Sequence, residues 1–193
     1  MAKKEFSNIQ IFVILTLVSI GSAGILAMTY NLTKKPIEQA EARKKELALK
    51  SVLPAQTVKI TSQKLVLEGE EVEMNIGEGP DGASLGYAIQ ATTKKGYGGT
   101  VVFLLGLDPE GRITGYTVIS HSETPGLGDG ITSDKFKNQF QGKNLENFKF
   151  KVVKDGGDVQ AITAATISSR AACEALEKGL NLFKAYKAQG SAQ

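Results

Sequence analysis

The sequence predicts an α+β protein: one N-terminal transmembrane helix, then a domain with a mostly antiparallel sheet and flanking helices. Three observations predict it. The uncharged stretch from Phe6 to Thr33 is long and apolar enough to cross a bilayer. The middle of the chain holds short strand-like runs separated by turn residues, with 14 of the 21 glycines between Gly69 and Gly130. The most regular helical pattern comes last, so strands precede it rather than alternating with it.

Composition bounds the chemistry. At 193 residues, 41% hydrophobic and 22% charged, the chain suits one domain plus an appendage and is not disordered overall. One cysteine excludes an internal disulfide and any thiolate-held cluster or zinc site within the chain; one histidine excludes a multi-histidine metal site. Any redox chemistry must come from another source. The net charge of +3 is unevenly placed. Residues 1–54 hold eight Lys/Arg against four Glu, and residues 55–193 hold fifteen against sixteen acids. A near-neutral body without a basic stripe argues against nucleic-acid binding.

The elements follow in order. Residues 1–8 read as a tail and 9–30 as the span: Ile9–Met28 at about 1.5 Å per residue crosses the roughly 30 Å hydrocarbon core. Tyr30 and Lys34-Lys35 suit an interface. A cleaved signal peptide is the rival, given Lys3-Lys4 and small residues near Ala23, but the apolar run is long for one. The basic residues after the span favour a cytoplasmic body, Glu38, Glu41 and Glu46 complicate the count, and charge alone chooses no side. Residues 31–56 read as a helical stalk, with Pro36 at a first helical position and Pro54 as the stop. Its apolar stripe (Ile37, Ala40, Leu47, Val52, Leu53) is weak, which favours a solvated stalk over a partner-binding helix.

Residues 57–193 form the predicted domain. Strands are expected over Thr57–Thr61, Lys64–Leu67, Tyr87–Thr93, Thr100–Leu107, Arg112–Ser120 and Phe148–Val153. Asp108-Pro109-Glu110-Gly111 predicts a hairpin turn. A short helix is expected over Thr132–Phe140. The final helix is read from Ile167 to Tyr186, where Ile167, Ala171, Ala175, Leu176, Leu180 and Phe183 recur at helical spacing.

The segment Gln160–Arg170 (QAITAATISSR) places hydroxyls and tiny side chains at the entrance of that helix. A helix N-terminus offers unpaired N–H groups and the positive end of the macrodipole, so the segment reads as a phosphate site. Ala164 and Ala165 would let a ligand approach the backbone, while Thr163, Thr166, Ser168 and Ser169 offer hydroxyls. A Thr or Ser that is only an N-cap explains the same residues.

The run Thr163-Ala164-Ala165-Thr166-Ile167-Ser168-Ser169 resembles the [S/T]-[G/A]-A-T-x-[S/T] flavinylation motif of the FMN-binding domain family of membrane redox complexes. His121-Ser122-Glu123-Thr124-Pro125-Gly126-Leu127-Gly128 resembles that family's H-x-E-T-P-G-L-G loop, and Gly96-Tyr97-Gly98-Gly99 its G-Y-G-G turn. With the N-terminal span, the whole chain is similar to the G subunits of Rnf-type ferredoxin:NAD⁺ oxidoreductases, and more loosely to the C subunits of sodium-pumping NADH:quinone reductases.

The resemblance implies an electron-carrying subunit in which FMN is joined through its phosphate to Thr166. A separate Mg²⁺-dependent flavin transferase would make the bond, with FAD as donor. It implies cofactor contacts from Thr163, Ala164, Ala165, Ile167 and Ser168, from Glu123, Thr124, Gly126, Leu127 and Gly128, and from Tyr97. It also implies partner subunits of an ion-translocating complex and an extracytoplasmic domain on a single-pass anchor. Two departures stand out: Ala164 where glycine is commoner, a change that adds one methyl, and Gln160 where aspartate is frequent, with Asp158 nearby. For Glu123 a solvated loop acid is an equal reading. His121 reads as a hydrogen-bonding strand-end residue before a proton donor, and Cys173 as a small packing residue. The rival within the family is the equivalent FMN subunit of a sodium-pumping NADH:quinone reductase or a stand-alone anchored flavoprotein, and the rival from another class is a non-redox binding module with a merely capped helix.

Overall fold

The computed structural model describes residues 7–67 and 69–190; most of the expected tail and the last three residues lie outside them. The chain divides into two compact units, residues 1–44 and 45–193.

The first unit is the greater part of α1 (Asn8–Val52). Its large apolar side chains, among them Phe12, Leu17, Ile20 and Leu26, are exposed, as a lipid-facing surface requires. Thr16, Ser19 and Thr29 turn their hydroxyls back onto the carbonyls of Phe12, Leu15 and Ile25 at 2.8–2.9 Å, so these polar groups are satisfied within the helix. The expected second helix beginning at Pro36 does not exist as such: Pro36 lies inside α1. Proline removes one ladder hydrogen bond, and the helix-forming residues on both sides carry the helix across the gap.

The second unit is built on a five-stranded antiparallel sheet in sequential order: β1 (Lys59–Leu67), β2 (Glu70–Glu78), β3 (Ser84–Gly96), β4 (Gly99–Leu107) and β5 (Ile113–Ser120). The two short runs expected between residues 57 and 67 are one strand. β2 escaped the sequence reading because its acidic residues depress strand propensity, yet Val72, Met74 and Ile76 alternate into the core. Asp108 caps the β4–β5 turn by accepting from the N–H groups of Glu110 and Arg112.

Strand residues alternate between two covered faces. Tyr87, Ile89, Ala91, Phe103 and Leu105 face α3 (Thr166–Gly190), with the Phe183 ring tilted at 57° to that of Tyr87 and 5.1 Å from it. Gly179 brings α3 close: a Cβ there would lie 2.8 Å from Leu105 Cδ2. Ala88 and Leu104 point the other way, onto Ala48, Leu49, Val52 and Leu53. The last turns of α1 are therefore core, which corrects the expectation of a solvated stalk. Gly106 admits the Val52 carbonyl, Thr114 Oγ1 donates to that oxygen at 2.9 Å, and Lys45 pairs with Glu73 at 2.6 Å.

Residues 121–165 pack against β5 and the core: Ile113 exchanges backbone bonds with Gly142 and Lys143, and Tyr116 Oη donates to the Ile131 carbonyl. The expected helix over 132–140 is a single turn, α2 (Asp134–Lys137), capped by the Ser133 side chain and preceded by a 3₁₀ turn at Gly128–Thr132. The expected strand over 148–153 is not one. Phe150 and Val152 are buried, but the backbone bonds locally: Lys149 N–H to Asp158 Oδ2 at 2.8 Å and Lys151 N–H to the Lys149 carbonyl at 2.7 Å. Alternating burial arises here from an aromatic cluster of Phe140, Phe148 and Phe150, and the segment pairs through an isolated parallel bridge, Val152 with Val159, rather than along a neighbouring strand.

Candidate functional site

Three separate stretches meet where α3 begins. The β3–β4 turn supplies Tyr97, the loop after β5 supplies Glu123, Thr124, Leu127 and Gly128, and the start of α3 supplies Ala164, Ala165, Thr166, Ile167 and Ser168. Together they line a cleft of about 480 Å³. Ten of the twelve expected site residues are thus brought together. Thr163 and Gly126 are exposed beside the cleft without lining it.

Glu123 joins the three stretches. It is 5% exposed, so it is not a solvated loop acid. Its Oε2 accepts from Ser168 Oγ at 2.5 Å and its Oε1 from Gly98 N–H at 3.2 Å. Its own N–H donates to His121 Nδ1 at 3.2 Å, which makes His121 an acceptor that braces the loop. Glycines make the fit possible. A Cβ on Gly128 would collide with Glu123 Oε2 and lie 2.6 Å from Ser168 Oγ; one on Gly96 would lie 2.5 Å from Glu123 Oε1; one on Gly98 would strike the Ser122 carbonyl. The G-Y-G-G turn and the H-S-E-T-P-G-L-G loop are two halves of one interlock.

The start of α3 is shaped by local bonds. Ser169 is fully buried, accepts from Ile162 N–H at 3.0 Å and donates to the Ala165 carbonyl at 2.9 Å. It is a staple rather than a ligand group, which corrects its sequence reading. Ala164 has φ of +60°, the only non-glycine positive φ among the described residues. Its difference from glycine is thus strain in the left-handed region and not just one methyl. The N–H groups of Thr166, Ile167 and Ser168 have no hydrogen-bond partner among the described residues. Thr166 opens the helix at the cleft wall with three donors around it. Arg170 grips Asp155 through two bonds of 2.7 and 2.8 Å, which holds the Asp155 carboxyl below its ordinary range.

The cleft also leaves apolar surface open. Tyr97, Leu127 and Ile167 are 70%, 42% and 48% exposed around it. None of the ten lining residues is basic, so anion affinity rests on backbone donors and the helix dipole. Gln160 lies outside the cleft, bonded through its backbone to the side chain of Gln139, and Asp158 is occupied by the Lys149 N–H. Cys173 lies on the buried face of α3, and burial pushes its thiol up to about 12. Among the described residues no three His, Cys, Asp or Glu side chains gather as a metal site.

A membrane-type helix followed by a small antiparallel domain with an anion-ready, partly apolar cleft is the anatomy of an anchored cofactor carrier. Residues 96–181, which contain all three stretches, match the FMN-binding domain family. The chain is 32% identical over 180 residues to the G subunit of the ion-translocating oxidoreductase complex of Methanosarcina acetivorans, covering 91% of this chain and 94% of that protein. It is 30% identical to the G subunit of the Na⁺-translocating ferredoxin:NAD⁺ oxidoreductase complex of Acetobacterium woodii, over 89% of each. Among solved structures, Shewanella oneidensis NqrC shares the fold, with a TM-score of 0.53 at 20% identity over 72% of this chain and 73% of that one. The chain belongs to the G-subunit family of ion-translocating oxidoreductase complexes.

Proposed function

We propose that this chain is the FMN-bearing, membrane-anchored electron carrier of an Rnf-type complex, in which electron flow between ferredoxin and NAD⁺ on other subunits drives Na⁺ or H⁺ across the membrane. The carrying observation is Thr166: a hydroxyl at the first position of α3, on the wall of a cleft, beside three unpaired N–H groups. A phosphoester at this hydroxyl keeps one negative charge. The helix terminus stabilises that charge by about 0.3–1 kcal/mol.

The residues fit FMN. The backbone donors of Thr166, Ile167 and Ser168 suit the phosphate, while Tyr97, Leu127 and Ile167 offer apolar surface to a planar ring. The flavin supplies the electron chemistry; the chain binds, orients and partly shields it. Thr124 and Gly128 complete the lining, with Thr163 and Gly126 at its edge. A threonine hydroxyl is a weak nucleophile, so attachment needs an activating enzyme, the Mg²⁺-dependent flavin transferase. The body is extracytoplasmic in this reading, and protease added to spheroplasts should cut it. Protection of the body there would reverse the orientation.

The test of attachment is a denaturing gel of protein matured in its native host. The wild-type band should retain flavin fluorescence and the Thr166→Ala band should lose it, with a stability change of about 1 kcal/mol or less, as for loss of a modest hydroxyl interaction. A fluorescent Thr166→Ala band would assign the bond to another hydroxyl.

A further inference from the structure

We infer that Glu123 sets the reduction potential of the flavin by holding a buried negative charge against the cleft. The inference rests on the reading of this cleft as the FMN site. Glu123 lines the cleft yet is 5% exposed, so water screens it poorly. Both carboxylate oxygens accept hydrogen bonds, one from Ser168 Oγ and one from Gly98 N–H, the pattern of an ionised acid. No cation pairs with it among the described residues. Gly128, packed on Oε2, carries no side chain, and no lining residue is basic.

An anion with no cation paired to it, held only by donors of the α3 start and the β3–β4 turn, opposes the arrival of an electron beside it. The flavin in this cleft is therefore harder to reduce than it would be beside a neutral side chain. Glu123 exchanges no atom in this role and acts through its field alone. A carboxylate kept only to tie the loops together would not need its charge, since an amide of the same shape can fill the same space.

The experiment compares wild-type and Glu123→Gln proteins, each matured with flavin in the native host, by spectroelectrochemical titration. Glutamine keeps the length and shape of the side chain and removes the charge. The inference expects the reduction equilibrium to shift at least tenfold towards the reduced flavin, a rise of about 59 mV for a one-electron couple. A flavin-bearing Glu123→Gln protein that titrates within twofold of wild type overturns it. If Glu123→Gln takes up no flavin, Ser168→Ala decides. That change strips one donor from the carboxylate and leaves its charge, so the equilibrium should move at least twofold away from reduction. No movement, or movement the other way, overturns the inference. Wild-type protein carrying no flavin would instead sink the reading of the cleft. Melting of each variant without flavin verifies that the fold is intact.

Discussion

Ala164→Gly should stabilise the domain, because Ala164 sits at φ +60° where an L-residue is strained and glycine is not. The left-handed conformation costs an L-residue roughly 1–2 kcal/mol. Glycine returns about 0.4–1 kcal/mol of that by giving the unfolded chain more freedom. Ala164 is exposed, so removing its methyl sacrifices little packing. The net expectation is a gain of about 0.5–1 kcal/mol, or a rise in Tm of about 1–4 °C for a domain of this size. Thermal and urea unfolding of protein without flavin, followed by circular dichroism, measure it. A destabilisation of about 0.5 kcal/mol or more would refute the reasoning, since it would mean that the alanine methyl holds the loop rather than straining it. Flavin attachment at Thr166 should survive the change, as the donors around the hydroxyl belong to the backbone of α3.

Gly128→Ala should act oppositely: its Cβ collides with Glu123 and Ser168, and the overpacked interlock should lose about 1–3 kcal/mol in denaturant titration. Leu49→Ala should cost about 2–4 kcal/mol in the same assay, because Leu49 is core against the sheet; an effect near zero would restore the solvated stalk. Cys173 should resist alkylation at pH 8 in the native protein and react on unfolding. Its thiol is raised from an ordinary 9.0 to about 12, so the folded state keeps the proton longer than the unfolded one. Stability from this group is present below pH 9 and is lost as pH rises towards 12, and Cys173→Ala should flatten that part of the profile.

The start of α3 was legible because a helical repeat of apolar residues announces where the helix must begin, and hydroxyls just before it mark its end group. The β4–β5 hairpin was legible for a similar reason: Asp108 to Gly111 is a local turn signal between two alternating runs. Glu123 was not legible. Its partners stand 25 residues before it and 45 after it, and no local pattern distinguishes a buried latch from a loop acid. The failure at residues 148–153 has the same origin, since alternation reports which side chains are buried and not what the backbone bonds to. α1 exposed a third limit. Pro36 looks like a beginning, but one missing hydrogen bond does not outweigh the helix-forming residues around it.

By itself, then, the sequence determined what is local or compositional: a span long enough for a bilayer, the succession of strands before a final helix, and a threonine placed at that helix's first turn. Tertiary structure decided which residues act together. It put Tyr97, Glu123 and Thr166 on one cleft, turned Ser169 inward as a staple, and made the last turns of α1 part of the core. The physical reason is range. Periodicity and capping act within a few residues, whereas the burial of a charge, the close approach of a glycine and the covering of a sheet face depend on groups far apart in the chain.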